Sequence, residues 1–365
     1  MHHGQNPALR RLVDQVRAAS DEKTALEIRA GGTKRFYGGA PRGTLLDTTA
    51  LTGITIYEPT ELVVSARAGT PLAVLEAELA GQGQYLPFEP PRFGPGGTVG
   101  GMVAAGLSGP ARASVGAVRD YVLGTTVLNG RAEVLSFGGQ VMKNVAGYDV
   151  SRLMAGSLGV LGVICEVSLK VLPAPPASAT LVFEMDEAQA LGQLNAWAGQ
   201  PLPLNASAWH QGRLHLRLAG ARAAVGAAVQ RLGGTELAPE VAHAWWTALR
   251  DQQHAFFALD EPALARGECL WRLSVPDTTA PLGLPGDALV EWGGAQRWCR
   301  TAAPAEQMRE AAARAGGHAM LFRTADKSAC AFTPLSAPLM RIHRGLKQAF
   351  DPAGVFNPGR LYSDL

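Results

Sequence analysis

The sequence predicts an α+β protein built in two unlike parts, and three observations carry this. Three glycine-rich stretches, each beside strand-like sequence, follow one another in the first half: Arg29–Gly38, Phe93–Gly101 and Gly147–Gly162. Prolines 173, 175 and 176 then punctuate the chain. Beyond them, strand-like and helix-like runs alternate from Ala177 to about Thr324, and all seven tryptophans fall there. That alternation suits a sheet with helices on one face.

Element by element, Leu9, Leu12, Val13 and Val16 recur at helical spacing and predict an amphipathic first helix. Leu26 to Ala30, Leu45 to Thr48 and Glu61 to Ala68 read as strands. Thr70-Pro71 predicts a helix start, with Thr70 as its cap, Leu72, Leu75 and Leu79 buried, and Gly81 and Gly83 at its end. Met102 to Leu107 reads as a short helix of small residues. Val122 to Leu128 and Ala132 to Ser136 flank Asn129-Gly130, a hairpin signal. Val160 to Leu172 is rich in β-branched residues. In the second part, Leu181 to Glu184 and Leu214 to Leu218 read as strands, each followed by a helix (188–198 and 221–232). Ala303 to Ala315 reads as a helix closed by Gly316-Gly317, and a last helix is expected from Arg341 to Phe350.

Composition narrows the function. The chain has 365 residues, 47% hydrophobic, with a net charge of only +2, so no overall field points to nucleic acid or an anionic membrane. Its four cysteines lie far apart without a C-x-x-C pair, which argues against zinc ribbons, cysteine-ligated iron–sulfur clusters and a disulfide framework. No metal site is expected. No apolar stretch is long enough to span a bilayer and no signal region opens the chain, so a cytoplasmic protein is expected.

The glycines carry the chemistry. A glycine lets backbone N–H groups approach a bulky anion without a clash. Two common nucleotide loops are absent: in G-x-G-x-x-G register, Gly94 and Gly96 are followed by Val99, and no G-x-x-x-x-G-K-[ST] occurs. H-E-x-x-H is also absent. One glycine loop alone is as well explained by a tight turn. Three in order suggest a large phosphate-bearing cofactor.

Those stretches resemble the FAD-binding domain of the vanillyl-alcohol oxidase/p-cresol methylhydroxylase (PCMH) superfamily. Gly31-Gly32-Thr33 and Gly38 match its first loop. Gly96-Gly97-Thr98-Val99-Gly100-Gly101 matches the segment along the flavin, and Arg119-Asp120-Tyr121-Val122-Leu123-Gly124 matches a strand entry. The run from Gly147 to Gly162 is the longest and most specific match. The resemblance covers residues 8 to 172 and resumes at Phe350–Gly359, like the tail of the D-lactate dehydrogenase branch. It implies a PCMH-type FAD-binding domain over 1–174, made of two α+β subdomains (about 1–55 and 56–174). A reduced α+β cap over 175–325 and a segment 326–365 returning to the first domain complete the expected layout. By the same resemblance, Gly31, Gly32, Thr33, Lys34, Gly38, Gly96, Gly97, Thr98, Val99, Gly100, Gly101, Asp120, Gly156, Ser157, Gly159, Gly162 and Ile164 are expected to hold FAD. Ser157 and Thr98 would add hydroxyl donors. Lys34 and Arg35 either offset phosphate charge or are solvated. Tyr148 and Asp149 either orient the third loop or cap the helix after it.

Length and the segment Gly316–Arg323 are similar to the FAD-binding E subunits of glycolate oxidase. That likeness implies partners: a catalytic flavin subunit and an iron–sulfur subunit, with a small 2-hydroxy acid as substrate and a peripheral place at the inner membrane through those partners. Two departures stand out. The H-x-G-D-G-N-x-H segment of catalytic relatives is missing, and Leu158 replaces the Glu of G-S-E-G. For substrate chemistry His318 and Arg323 are the candidates, as base and carboxylate clamp, with Arg341 and His343 next. His318 equally reads as a helix-end residue. The first loop holds neither His nor Cys, so FAD is expected to be non-covalent. A non-catalytic flavin-binding scaffold and a self-sufficient oxidase of another alcohol are the rival readings.

Overall fold

The computed structural model describes residues 6–139 and 149–365. A helix, Pro7–Glu22, starts where the Asn6 side chain accepts from the Ala8 and Leu9 amides, with Pro7 in the first turn. It buries Leu9, Leu12, Val16 and Ala19, the stripe its spacing foretells.

Nine strands follow in the first half: β1 (Leu26–Arg29), β2 (Thr44–Asp47), β3 (Ile54–Glu58), β4 (Val63–Arg67), β5 (Gln84–Tyr85), β6 (Val122–Leu128), β7 (Val134–Gly138), β8 (Val163–Lys170) and β9 (Leu172–Pro173). β1 and β2 pair in parallel, and β1 is bridged on to Phe356 from the far end of the chain. A five-stranded antiparallel sheet runs β3-β4-β8-β6-β7, while β5 pairs with β9. The sheet packs on the helices Leu72–Gly81 and Val99–Ala105 through Leu72, Leu75, Leu79, Val99, Met102 and Val103.

Local details correct three expectations. Thr70 is not a helix cap: its hydroxyl bonds both backbone groups of Gly53, and the helix begins after Pro71 without a side-chain cap. The short helix starts at Val99 rather than Met102, because Thr98 caps it by accepting from the Gly101 amide. The hairpin exists but is wider than a two-residue turn. Asn129 pairs with Glu133, and its side-chain oxygen accepts from the Arg131 and Glu133 amides.

The second half is one eight-stranded antiparallel sheet: β10 (Ala177–Glu184), β11 (Leu204–His210), β12 (Arg213–Gly220), β13 (Thr235–Glu236), β14 (Cys269–Ser274), β15 (Asp287–Glu291), β16 (Gln296–Thr301) and β17 (His318–Arg323). Their order is β13-β10-β12-β11-β15-β16-β14-β17. Helices Glu187–Ala198, Arg222–Leu232 and Ala305–Arg314 cover one face through two apolar clusters. A fourth helix, Pro239–Arg250, lies on the other face, contrary to the one-face expectation. Its Trp246 and Leu249 join Ala208, Leu270, Leu289, Trp298 and Phe322 in a cluster with Tyr37, Ala105, Leu107 and Leu158 of the first half. That shared apolar layer sets the sheet against the glycine stretches. A last helix, Ala337–Phe350, begins four residues before the expected start, after Ser336.

Candidate cofactor site

The first two glycine stretches meet backbone to backbone. β1 runs into Gly31-Gly32, where Gly32 turns with φ +68°. A Cβ built on Gly31 would lie 1.4 Å from the carbonyl oxygen of Gly96, so no side chain fits there. The two loops form one wall of a groove lined by Gly31, Gly32, Thr33, Lys34, Gly96, Thr98 and Gly101. These seven residues are drawn together as expected from their motifs. Arg35, the other candidate counter-charge of the first loop, lines it too, and so do residues that the motif reading did not place there: Ala104, Ala105, Leu158, Asn357 and Arg360. Asn357 and Arg360 lie in or beside the tail segment that resembles the D-lactate dehydrogenase branch. That likeness was the only signal for them.

Asn357 explains why the tail belongs here. Its side-chain oxygen accepts from the Ile28 amide at 2.8 Å, and its amide group donates to the Leu158 carbonyl at 2.6 Å. One residue thus joins β1, the third glycine stretch and the C-terminal segment. Gly159 must be glycine for this, because a Cβ there would meet the Asn357 side chain at 2.7 Å, and φ is +74°.

The groove is electropositive: Arg29, Lys34, Arg35 and Arg360 line it against the carboxylate of Glu27, which pairs with Arg35 at 3.0 Å and Arg29 at 3.5 Å. Burial pushes the Lys34 ammonium down to about 8, only partly opposed by Asp251. Its single hydrogen bond is a long one, 3.5 Å to Thr33 Oγ1. The Arg360 guanidinium is 8% exposed and donates to backbone carbonyls of Gly39 and Arg35. Burial, then Arg35, lowers its pKa, while Glu27 acts the other way. A half-buried Lys34 and a buried Arg360 beside close-set backbone amides make a receptor for phosphate oxygens. The donor set fits the pyrophosphate of a dinucleotide.

Other sequence-predicted residues make structural contacts around the groove. Gly100 packs on Ala68, and a Cβ there would come within 2.5 Å of the Ala68 Cβ. Gly97 accepts from the Leu72 amide through its carbonyl, and Gly38 accepts from Lys327. Val99 and Ile164 are core residues. Asp120 accepts from the Ala117 amide. The Ser157 hydroxyl is 4% exposed and accepts from the Gly159 amide, which leaves its O–H proton without a recorded acceptor. Gly156 donates to Val103, and Gly162 sits against Val127 and Leu128 with φ +155°. Asp149 caps the short helix that follows it by accepting from the Arg152 amide. Gly147 and Tyr148 lie outside the described residues.

The substrate-side candidates are not brought together. His318 is the exposed first residue of β17, not a helix end. Arg323 is the last residue of the same strand, about 16 Å away at the usual rise. Its guanidinium lies over the Phe36 ring at 4.4 Å and donates to Gln252. Arg341 is exposed on the last helix, and His343 there hydrogen-bonds Leu339 of its own helix. Among the described residues no group of His, Cys, Asp and Glu could hold a metal ion.

Comparison with known proteins places this geometry. The FAD binding domain family matches residues 10–138. Glycolate oxidase subunit GlcE of Escherichia coli (strain K12) is 47% identical over 354 residues, 97% of this chain and 97% of the relative. The chain belongs to the glycolate oxidase subunit GlcE family. More distant relatives of this GlcE-family chain align over about half of it. D-lactate dehydrogenase of Anaerostipes hadrus is 32% identical, over 46% of this chain and 38% of the relative. Glycolate oxidase subunit GlcD of Bacillus subtilis (strain 168) is 27% identical, over 48% and 37%. A solved alkyldihydroxyacetonephosphate synthase shares the fold, with a TM-score of 0.66 at 15% identity over 96% of this chain and 74% of that one. The GlcE-family fold is thus an α+β fold of PCMH type, and FAD is its cofactor.

Proposed function

We propose that this GlcE-family chain is the FAD-binding subunit of a glycolate (2-hydroxy acid) oxidase or dehydrogenase complex, taking part in the oxidation of glycolate to glyoxylate and in electron transfer. The observation that carries the reading is the Gly31–Gly96 contact with Lys34 and Arg360 beside it: close-set backbone and two cations, one half-buried and one buried. End-to-end likeness to a glycolate oxidase subunit supports it. Bound FAD would supply acceptance of a hydride from a carbon–hydrogen bond and onward release of electrons. The chain's own residues then do simpler work. Lys34 and Arg360 hold phosphate charge, the glycine amides donate to phosphate oxygens, and the Thr98 hydroxyl adds a donor on the groove wall. The packed layer of Tyr37, Leu107, Trp298 and Phe322 keeps water from that side.

The partners in this reading are a catalytic flavin subunit and an iron–sulfur subunit. Among the described residues no helix is long and apolar enough to cross a membrane, so membrane association would run through those partners from the cytoplasmic side. The unit boundary falls at Pro173–Pro176. The test is purification of tagged chain with its neighbours. A flavin spectrum that bleaches on reduction, with a larger flavin protein and a cysteine-rich protein in the same peak, is the expected result. Colourless chain that ignores added FAD would sink the reading.

One observation favours a second reading, a flavin-binding scaffold without turnover: the H-x-G-D-G-N-x-H segment is missing, and His318 stands exposed at a strand end. Glycolate-dependent dye reduction by the isolated chain, set against that of the complex, separates the two.

A further inference from the structure

The first glycine loop is held from outside the groove by the segment that follows β17. The loop folds as two linked turns. The Arg35 amide donates to the Gly32 carbonyl at 3.2 Å, and the Tyr37 amide to the Lys34 carbonyl at 3.1 Å. Beyond these turns the carbonyls have no strand or helix to receive them, and buried backbone needs partners. Two cations supply them. Arg360 donates to the Arg35 and Gly39 carbonyls. Lys327 donates to the Phe36 carbonyl and, at 3.0 Å, to that of Gly38.

Lys327 comes from 291 positions beyond Phe36. It does not line the groove, and neither do Phe36 and Gly38. Its neighbour Asp326 is engaged by Ser328, accepting from the amide at 2.7 Å and the hydroxyl at 2.8 Å. The hydrogen bonds of the ammonium therefore go to the loop. A half-buried cation facing neutral carbonyls is costly. Burial, then Arg360, pushes its pKa down to about 8.

The rings of the loop are gripped from the same direction. Phe36 and Tyr37 pack on Phe322 of β17, with ring centroids 5.5 and 5.3 Å apart, and Tyr37 meets Phe332 at 5.8 Å. One segment, 322–332, thus holds the rings and carbonyls at the far end of the loop. The near end is free. The amides of Gly31, Gly32, Thr33 and Lys34, all on the groove wall, donate to no protein acceptor among the described residues. In a trans peptide the N–H points opposite to the carbonyl it is joined to. With the Gly32 carbonyl fixed toward Arg35, the Thr33 amide faces the other way.

We propose that Lys327 is a positioning residue for the cofactor loop: by holding the Phe36 and Gly38 carbonyls it keeps the free amides of Gly31 to Lys34 set for phosphate before FAD arrives. Such presetting lowers the ordering cost of binding. The inference rests on the reading of this groove as the FAD site and adds that the second half of the chain shapes it. Linkage is reciprocal, so bound FAD must in turn steady the segment that carries Lys327.

The test is FAD fluorescence titration and hydrogen exchange on the full chain stripped of flavin. Lys327→Met should weaken FAD roughly ten- to a hundredfold, the worth of hydrogen bonds from a charged group. Lys327→Arg, which keeps a cation with donors, should restore most of that affinity. Without FAD, the Tyr37 and Gly39 amides should exchange roughly tenfold faster in Lys327→Met, and those of β6 and β8 at the wild-type rate. FAD should slow exchange across 324–332 in wild type and not in Lys327→Met. If Lys327→Met does not fold, Lys327→Gln, neutral but still a donor, takes its place in the same measurements. Unchanged FAD affinity, no rescue by Lys327→Arg, or wild-type exchange in the loop overturns the proposal. Faster exchange everywhere would reveal a merely structural role and overturns it too. A wild-type chain that takes up no FAD refutes the functional reading instead, whereas equal uptake by wild type and Lys327→Met refutes this inference alone.

Discussion

Replacing Glu291 by glutamine isolates one buried ionisation. Burial pushes this carboxyl from the usual 4.5 up to about 7, with the Trp298 and Gln296 hydrogen bonds opposing and Glu89 adding to the rise. The folded protein therefore holds a proton there that the unfolded chain releases near 4.5. Its contribution to stability is fully present below that value, falls as pH rises to about 7, and is absent above. At 1.36 kcal/mol per pH unit, the loss across this window is about 3 kcal/mol. Glutamine keeps the shape but carries no proton to lose. The assay is urea unfolding at fixed FAD concentration from pH 4.5 to 8. Wild type should lose about 3 kcal/mol more than Glu291→Gln over that range, and the two curves should run parallel above pH 7. Parallel curves throughout would show that Glu291 ionises freely in the folded state.

Three further outcomes are expected. Gly31→Ala must force the two glycine loops apart by roughly 1.5 Å, since its Cβ would sit 1.4 Å from Gly96 oxygen; the chain should fold, by circular dichroism, but purify without flavin. Lys34 has a pKa near 8 in the free protein, and a phosphate anion beside it raises that value. FAD affinity should therefore fall by up to tenfold per pH unit above about 8. In a fluorescence titration from pH 7 to 10, Lys34→Met should lower affinity by about tenfold at pH 7 and abolish that slope. Asn357→Ala removes two buried hydrogen bonds, to Ile28 and Leu158, and should cost about 2–4 kcal/mol in urea unfolding. An unchanged midpoint would mean the tail is not anchored there.

The glycine loops were legible because their constraint is steric and local. Gly31 must be glycine where the second loop crosses it, since a Cβ there would lie 1.4 Å from the Gly96 oxygen, so the motif records the contact directly. Helix faces such as Leu9, Leu12 and Val16 were legible for the same reason of spacing. What the sequence hid depends on partners distant along the chain. Thr70 looks like a cap, but its hydroxyl is taken by Gly53. Ser157 reads as a hydroxyl donor, and the motif does not announce that its oxygen also accepts from the Gly159 amide. His318 and Arg323 stand close in sequence and at opposite ends of a strand. The polar row of Glu291 and Gln296 appears only once strand register is known, because nothing in either segment announces which face it presents.

The Asn357 clasp bears on how the chain is made. β1 is four residues long, and besides β2 it is held by Phe356 and Asn357, more than three hundred positions later. During synthesis the first glycine loop emerges early but lacks the clasp that holds its strand to the third stretch. Contacts of such long sequence separation form late and slowly. The nascent protein would thus be unable to retain its cofactor until nearly all of it has been released, making flavin capture a final, post-translational step. A chain shortened before Asn357 would keep every glycine motif and still lack the fastening that turns them into one receptor.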